Sequence, residues 1–168
     1  MKVLETERLN IRWITLEDAA FVVEILNSKG WLANIGDRMV RTIKDAEDYI
    51  SNKMIGDYQR VGFGMYVLSL KETNRLIGMS GFVDRPGLEG IDLGFALLDE
   101  YHGMGFAYEA NRSLVDFAKE LDIKLLKAIT LPSNLASRKL LEKLDFKLIK
   151  KFYMENDPEL LCLYELGI

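Results

Sequence analysis

Gly103 and Gly105 stand two residues apart, just ahead of a stretch whose apolar residues Ala107, Ala110, Leu114, Phe117, Ala118 and Leu121 recur at helical spacing. Paired glycines let a backbone turn tightly and come close to a ligand. A helix start adds unpaired N–H groups and the positive end of a dipole. The combination suits an anion such as a pyrophosphate, although a tight connection is the plainer use of the same residues. It is not a P-loop, because no Gly-Lys-Ser/Thr triplet occurs. It is not a dinucleotide fingerprint either, because Tyr108 holds the place of the third glycine. His102, beside the glycines, reads as a loop residue contributing its backbone rather than as a base. Cys162 alternates with Leu161 and Leu163 and reads as a small core or interface residue.

These residues need elements to hold them. Residues 9–14 alternate as a strand, and Thr15 reads as the N-cap of a helix with Glu17 and Asp18 in its first turn. Ala19, Val22, Val23 and Leu26 continue that helix, and Gly30 is expected to end it. Thr42 opens a second helix with Asp45 as its capping-box acid and Ala46, Tyr49, Ile50 and Met54 as its apolar face. Residues 63–70, 75–83 and 91–98 read as three consecutive antiparallel strands. The glycine segment and its helix follow. Residues 125–131 form a near-continuous apolar run, the pattern of a strand buried on both faces. Asn134 caps a further helix faced by Ala136, Leu140, Leu141 and Leu144. Residues 146–154 and 160–166 read as a closing hairpin. The order β-α-α-β-β-β-α-β-α-β-β places a βαβ unit behind a meander. It implies an α+β fold with a mixed sheet.

Composition bounds the rest. A chain of 168 residues with 49% hydrophobic content and a net charge of −4 is read as one ordinary domain, residues 1–168. One Cys and one His exclude a disulfide framework, multi-Cys metal motifs and His-pair metal sites, so no metal is expected. No run approaches the ~18 apolar residues of a membrane span. The charged start lacks the apolar core of a signal peptide. A cytoplasmic protein without membrane or nucleic-acid partners is the expectation.

The chain resembles the GNAT superfamily of acetyl-CoA-dependent N-acetyltransferases, within it the ribosomal-protein-acetyltransferase branch of RimJ/RimL type, over nearly its whole length. Three segments carry the resemblance. Leu4-Glu5-Thr6-Glu7-Arg8-Leu9-Asn10-Ile11-Arg12 is similar to that branch's N-terminal strand. The segment from Gly103 to Ala110 matches the family's pyrophosphate loop, Q/R-x-x-G-x-G/A. Asn134-Leu135-Ala136-Ser137 with Leu141-Glu142-Lys143-Leu144-Asp145-Phe146 matches its second signature, N-x-x-S…LEKLGF. The resemblance implies the GNAT fold in α/β/α layers, with about seven mostly antiparallel strands and four main helices.

It also implies acetyl transfer from acetyl-CoA to a primary amine, of a protein N-terminus or a small molecule. The strands at 91–98 and 125–131 are then expected to splay apart around the pantetheine. Leu97, Asp99, His102, Gly103, Met104, Gly105, Phe106, Ala107, Asn134 and Ser137 would bind the coenzyme. Asp92 would be the base and Ser137 a hydrogen-bond donor to the departing sulfur; a solvated strand residue and a helix-surface serine are their plainer readings. Glu89 is a weaker base candidate. Trp31, Tyr66 and Phe63 would line the acceptor pocket, and Arg85, with Asp37 and Arg38, would read acceptor charge; core packing and surface ions are the plainer uses. A homodimer is compatible with the family, but no sequence feature specifies its interface.

Four residues depart from the pattern. Glu100 stands where Gln or Arg is usual and would repel a pyrophosphate unless it points outward. Asp99 replaces a proline. Asp145 replaces a glycine, predicting a strained but intact turn. Leu141 replaces a tyrosine that serves many relatives as the acid for the thiolate. These departures keep open a different class of function, a CoA-binding sensor or interaction module without turnover.

Overall fold

The computed structural model describes residues 2–155 and 157–168. Its strands are β1 (Lys2–Glu5), β2 (Leu9–Trp13), β3 (Met65–Leu70), β4 (Leu76–Asp84), β5 (Ile91–Leu97), β6 (Leu125–Thr130), β7 (Lys147–Tyr153) and β8 (Leu160–Gly167). They form one eight-stranded sheet in the order β1-β2-β3-β4-β5-β6-β8-β7. Every neighbouring pair is antiparallel except β5 and β6, which are parallel and joined by the long crossover helix α5 (Phe106–Glu120). A parallel pair needs such a crossover.

The sheet holds one strand more than the pattern predicts. β1 is only four residues long and begins and ends on a charge, so no alternation announces it. Thr6 closes its hairpin: the Thr6 amide donates to the Leu9 carbonyl at 2.9 Å, and the Leu9 amide donates to the Thr6 hydroxyl at 3.0 Å. β6 also differs from expectation. Its residues alternate between buried and partly open rather than lying buried throughout, because one of its faces borders a cleft.

The first helix, α1 (Ala19–Leu26), stops at Asn27, before Gly30. Ser28 then caps a new short helix, α2 (Lys29–Asn34), accepting from the Trp31 amide, and Gly30 lies inside it. The capping box expected at Thr42 is present: its hydroxyl accepts the Asp45 amide at 3.1 Å, and the Asp45 carboxylate accepts the Thr42 amide at 2.8 Å. It opens α3 (Ile43–Tyr49), which runs through a π-helical turn, Ile50–Ile55, into α4 (Gly56–Val61). Ala46, Ile50 and Met54 face the core as their spacing requires. The last helix is α6 (Leu135–Lys143).

Residues 77–82 of β4 are all buried, so both faces of the sheet are covered there. On one face Phe82 approaches Phe117 of α5, and the Ser80 hydroxyl donates to Asn111 Oδ1 of α5 at 2.9 Å. That bond satisfies two fully buried polar side chains. Each large apolar side chain buried in this way contributes about 1.5–3 kcal/mol. The packing fixes α5, and with it the glycine loop at its start, against β2, β4 and β5.

Candidate active site

β5 is paired with β4 along its whole length, from Ile91 opposite Asp84 to Leu97 opposite Gly78. Against β6 it pairs only twice, at Ile91 with Leu126 and Asp92 with Lys127. Beyond Asp92 the two strands part, while β6 stays paired with β8 along its whole length on the other edge. A cleft of about 550 Å³ opens in the gap. Residues 93–97 form one wall; Ile129 and Thr130, with Asn134, Ser137 and Leu140, form the other. This volume is typical of a small-molecule site.

One end of the cleft is the glycine loop. Gly103 and Gly105 adopt φ of 74° and 84°, the left-handed region that favours glycine. Gly105 is the N-cap of α5. The amides of residues 103–108 donate to no other group among the described residues, the first helical bond being Glu109 N–H to the Gly105 carbonyl at 3.0 Å. The other end holds Asp92. Its carboxylate is 1% exposed. Oδ2 accepts Arg85 Nε at 2.9 Å and Nη2 at 2.6 Å, whereas Oδ1 has no hydrogen-bond partner among the described residues. Burial pushes the Asp92 pKa up; Arg85 and the main-chain N–H of Ile129, which lies close by without hydrogen-bond geometry to either oxygen, pull the other way without overcoming it.

Residues 8–147 match the family model of the acetyltransferase (GNAT) domain. The chain belongs to the GNAT acetyltransferase family. It is 30% identical over 151 residues to an uncharacterized N-acetyltransferase, p20, of Bacillus licheniformis, covering 88% of this chain and 83% of that protein. The acetyltransferase from Agrobacterium tumefaciens str. C58 shares its fold with a TM-score of 0.83 and 24% identity, over 100% of this chain and 95% of that one. So does RimL, a ribosomal L7/L12 α-N-protein acetyltransferase solved with coenzyme A. There the TM-score is 0.84 and the identity 18%, over 100% and 98% of the two chains.

In this GNAT acetyltransferase, Leu97, His102, Gly103, Gly105, Phe106, Ala107, Asn134, Ser137, Asp92 and Trp31 all line the one cleft. The His102 ring nitrogen Nε2 lies 3.0 Å from the Leu97 carbonyl, tying the loop to the end of β5. Asn134 Oδ1 accepts the Ser137 amide at 3.1 Å, so its capping role is real, and the Ser137 hydroxyl is left without a partner among the described residues.

Other predicted residues lie elsewhere. Tyr66 does not line the cleft: it is 1% exposed, against Tyr58 and Phe82, and burial pushes its pKa up to about 12. Arg85 faces Asp92 instead of lining the cleft. The Asp99 carboxylate accepts the Gly30 amide at 3.0 Å and braces α2 from outside the cleft lining. Met104 is also outside it, with an exposed side chain and a carbonyl turned to Arg8 at 3.0 Å. Glu100 points outward, 4.0 Å from Arg75, which removes the repulsion its position threatened. Leu141 is fully buried in the core.

Sequence reasoning missed Asn34 and Ile35, because α2 is only six residues long and shows no period. It missed Lys139 and Lys143, whose four-residue spacing on the Asn134 helix was a usable signal; both line the cleft, and Lys143 Nζ sits 4.2 Å from the Tyr108 ring centroid. Among the described residues no cluster of three or more His, Cys, Asp or Glu could hold a metal ion, and no helix is long and apolar enough to cross a membrane.

Proposed function

We propose that the acetyltransferase takes acetyl-CoA into the cleft between β5 and β6 and passes the acetyl group directly to a primary amine, of a protein N-terminus or a small molecule. One observation carries this reading: a single cleft joins a rim of main-chain amides at residues 103–108 that donate to no other group among the described residues to the buried carboxylate of Asp92, whose Oδ1 has no hydrogen-bond partner among them. The amides suit a diphosphate. The carboxylate suits an amine.

An amine attacks only in its neutral form. A lysine-type amine, with a pKa near ~10.4, supplies little of it at neutral pH, whereas an α-amino group at about 7.7–8.0 needs little help. Asp92 Oδ1, directly or through water, is the acceptor for the proton that the nitrogen sheds. A raised carboxylate pKa brings the base closer to the working pH. As the C–N bond forms, the C–S bond breaks and sulfur leaves with its electron pair. A thiol pKa near ~8.5 lets it depart as thiolate without a strong acid. The Ser137 hydroxyl, at the cleft wall, would donate to that sulfur, which makes the absence of a tyrosine at position 141 tolerable.

The test follows free thiol while the protein is incubated with acetyl-CoA and a panel of amines. Release that needs an acceptor and falls in Asp92→Asn and Ser137→Ala supports the reading. Coenzyme binding without release for any acceptor would leave a binding module in its place.

A further inference from the structure

Glu109, in the first turn of α5, is met by a residue 101 positions earlier in the chain. Its Oε1 accepts the Arg8 amide at 2.7 Å and the Thr6 hydroxyl at 2.5 Å, and its Oε2 accepts Arg8 Nε at 2.6 Å. Burial raises the Glu109 pKa, but these donors outweigh it and hold the carboxyl below its usual range. Locked in this way, the guanidinium does two further things. Its Nη1 donates to the Met104 carbonyl at 3.0 Å, and its plane covers the Phe106 ring, 4.3 Å from the centroid. Arg8 therefore grips the residues on both sides of Gly105 while lying outside the cleft lining itself.

A loop built on two left-handed glycines has little stiffness of its own. In a trans peptide the C=O and the following N–H point in opposite directions. Arg8 holds the Met104 carbonyl away from the cleft, so the Gly105 amide in the same peptide plane is directed toward it. We propose that Arg8, locked by Glu109, is the positioning residue that sets the glycine loop for a diphosphate. The inference rests on the reading of the cleft as a coenzyme A site.

The experiment is calorimetric titration of the full chain with coenzyme A and, separately, with pantetheine, which lacks the phosphates. In the wild type, coenzyme A should bind more tightly than pantetheine. Arg8→Ala should weaken coenzyme A by about tenfold or more, the scale of a lost charge-assisted hydrogen bond, and leave pantetheine within about twofold. Arg8→Lys should recover only part of the loss, because an ammonium cannot hold Glu109 and the Met104 carbonyl together. If Arg8→Ala does not fold, Arg8→Lys and Glu109→Gln carry the same comparison. Equal losses for both ligands, or unchanged coenzyme A affinity, would overturn the positioning role. A wild type that binds the two ligands equally would instead overturn the loop as a phosphate site, and the inference with it.

Discussion

Arg85 directs two donors, Nε at 2.9 Å and Nη2 at 2.6 Å, at a single oxygen of Asp92, and the other, buried oxygen of that carboxylate has no hydrogen-bond partner among the described residues. A buried carboxylate is costly unless paired. The pairing here is one-sided, so Asp92 is held in place yet keeps a lone acceptor.

That geometry makes a pH prediction. Asp92 has a raised pKa in the folded chain, so the native state holds its proton more tightly than the unfolded chain does. The contribution to stability is therefore greatest below the ordinary aspartate range and is lost as pH rises through the raised value. Asp92→Asn should flatten this part of the stability curve while lowering acetyl transfer by about 10²–10⁴, the usual worth of a positioned base. Arg85→Ala removes the attraction opposing burial and should move the acidic limb of the rate profile to higher pH. Rates measured against pH with one acceptor in both proteins cancel the amine's own titration. An unmoved limb would exclude Asp92 as the group that titrates.

Gly105→Val tests the loop without touching the core. The φ of 84° costs a non-glycine residue about 1–2 kcal/mol, and a Cβ would sit 3.3 Å from Arg8 Nη2. Coenzyme A affinity should fall by at least about tenfold while the thermal midpoint drops by only a few degrees. A Cβ at Gly103 meets nothing within 4 Å among the described residues, so Gly103→Ala adds no clash there. It should show the backbone strain with a smaller loss of affinity, and equal affinity losses in the two variants would contradict a special role for Gly105.

The reach of the sequence follows from the physics of each signal. Helix α5 is readable because its apolar stripe repeats over fifteen residues. The α3 start is readable because Thr42 and Asp45 satisfy each other locally. The cleft between β5 and β6 is an expectation from resemblance, and the two-pair register supplies its geometry. The misses are of two kinds. β1 and α2 are too short for periodicity to show. The Arg8–Glu109 and Arg85–Asp92 pairs depend on which residues the folded chain brings together. Tyr66 failed for the same reason: an aromatic in a strand reads alike whether it faces a pocket or a core.

Leu141 marks where the pattern of the family and the packing of this chain part. It is fully buried, and its carbonyl accepts the Phe146 amide at 3.0 Å and the Leu144 amide at 3.1 Å, closing the end of α6. Leu141→Tyr would have to force a larger polar ring into that space. It should cost about 1–3 kcal/mol in urea unfolding and give no gain in turnover. A rise in the rate of thiol release would show that the missing acid does limit the reaction.

Asp145 completes the same turn with φ of 71°, in the left-handed region, and the chain returns to β7 only through that conformation. A side chain there costs about 1–2 kcal/mol. A glycine removes the strain but adds about 0.5–1 kcal/mol of unfolded-chain entropy. Arg112 pairs at 3.8 Å with an Asp145 side chain that is 75% exposed, and such surface pairs are worth little. Asp145→Gly should therefore stabilise the fold by roughly 0.5–1 kcal/mol, read as a higher urea midpoint at unchanged slope. Because Asp145 lies outside the cleft lining, coenzyme A affinity should stay within about twofold of the wild type. A lower midpoint would mean that the aspartate makes an interaction worth more than its backbone strain.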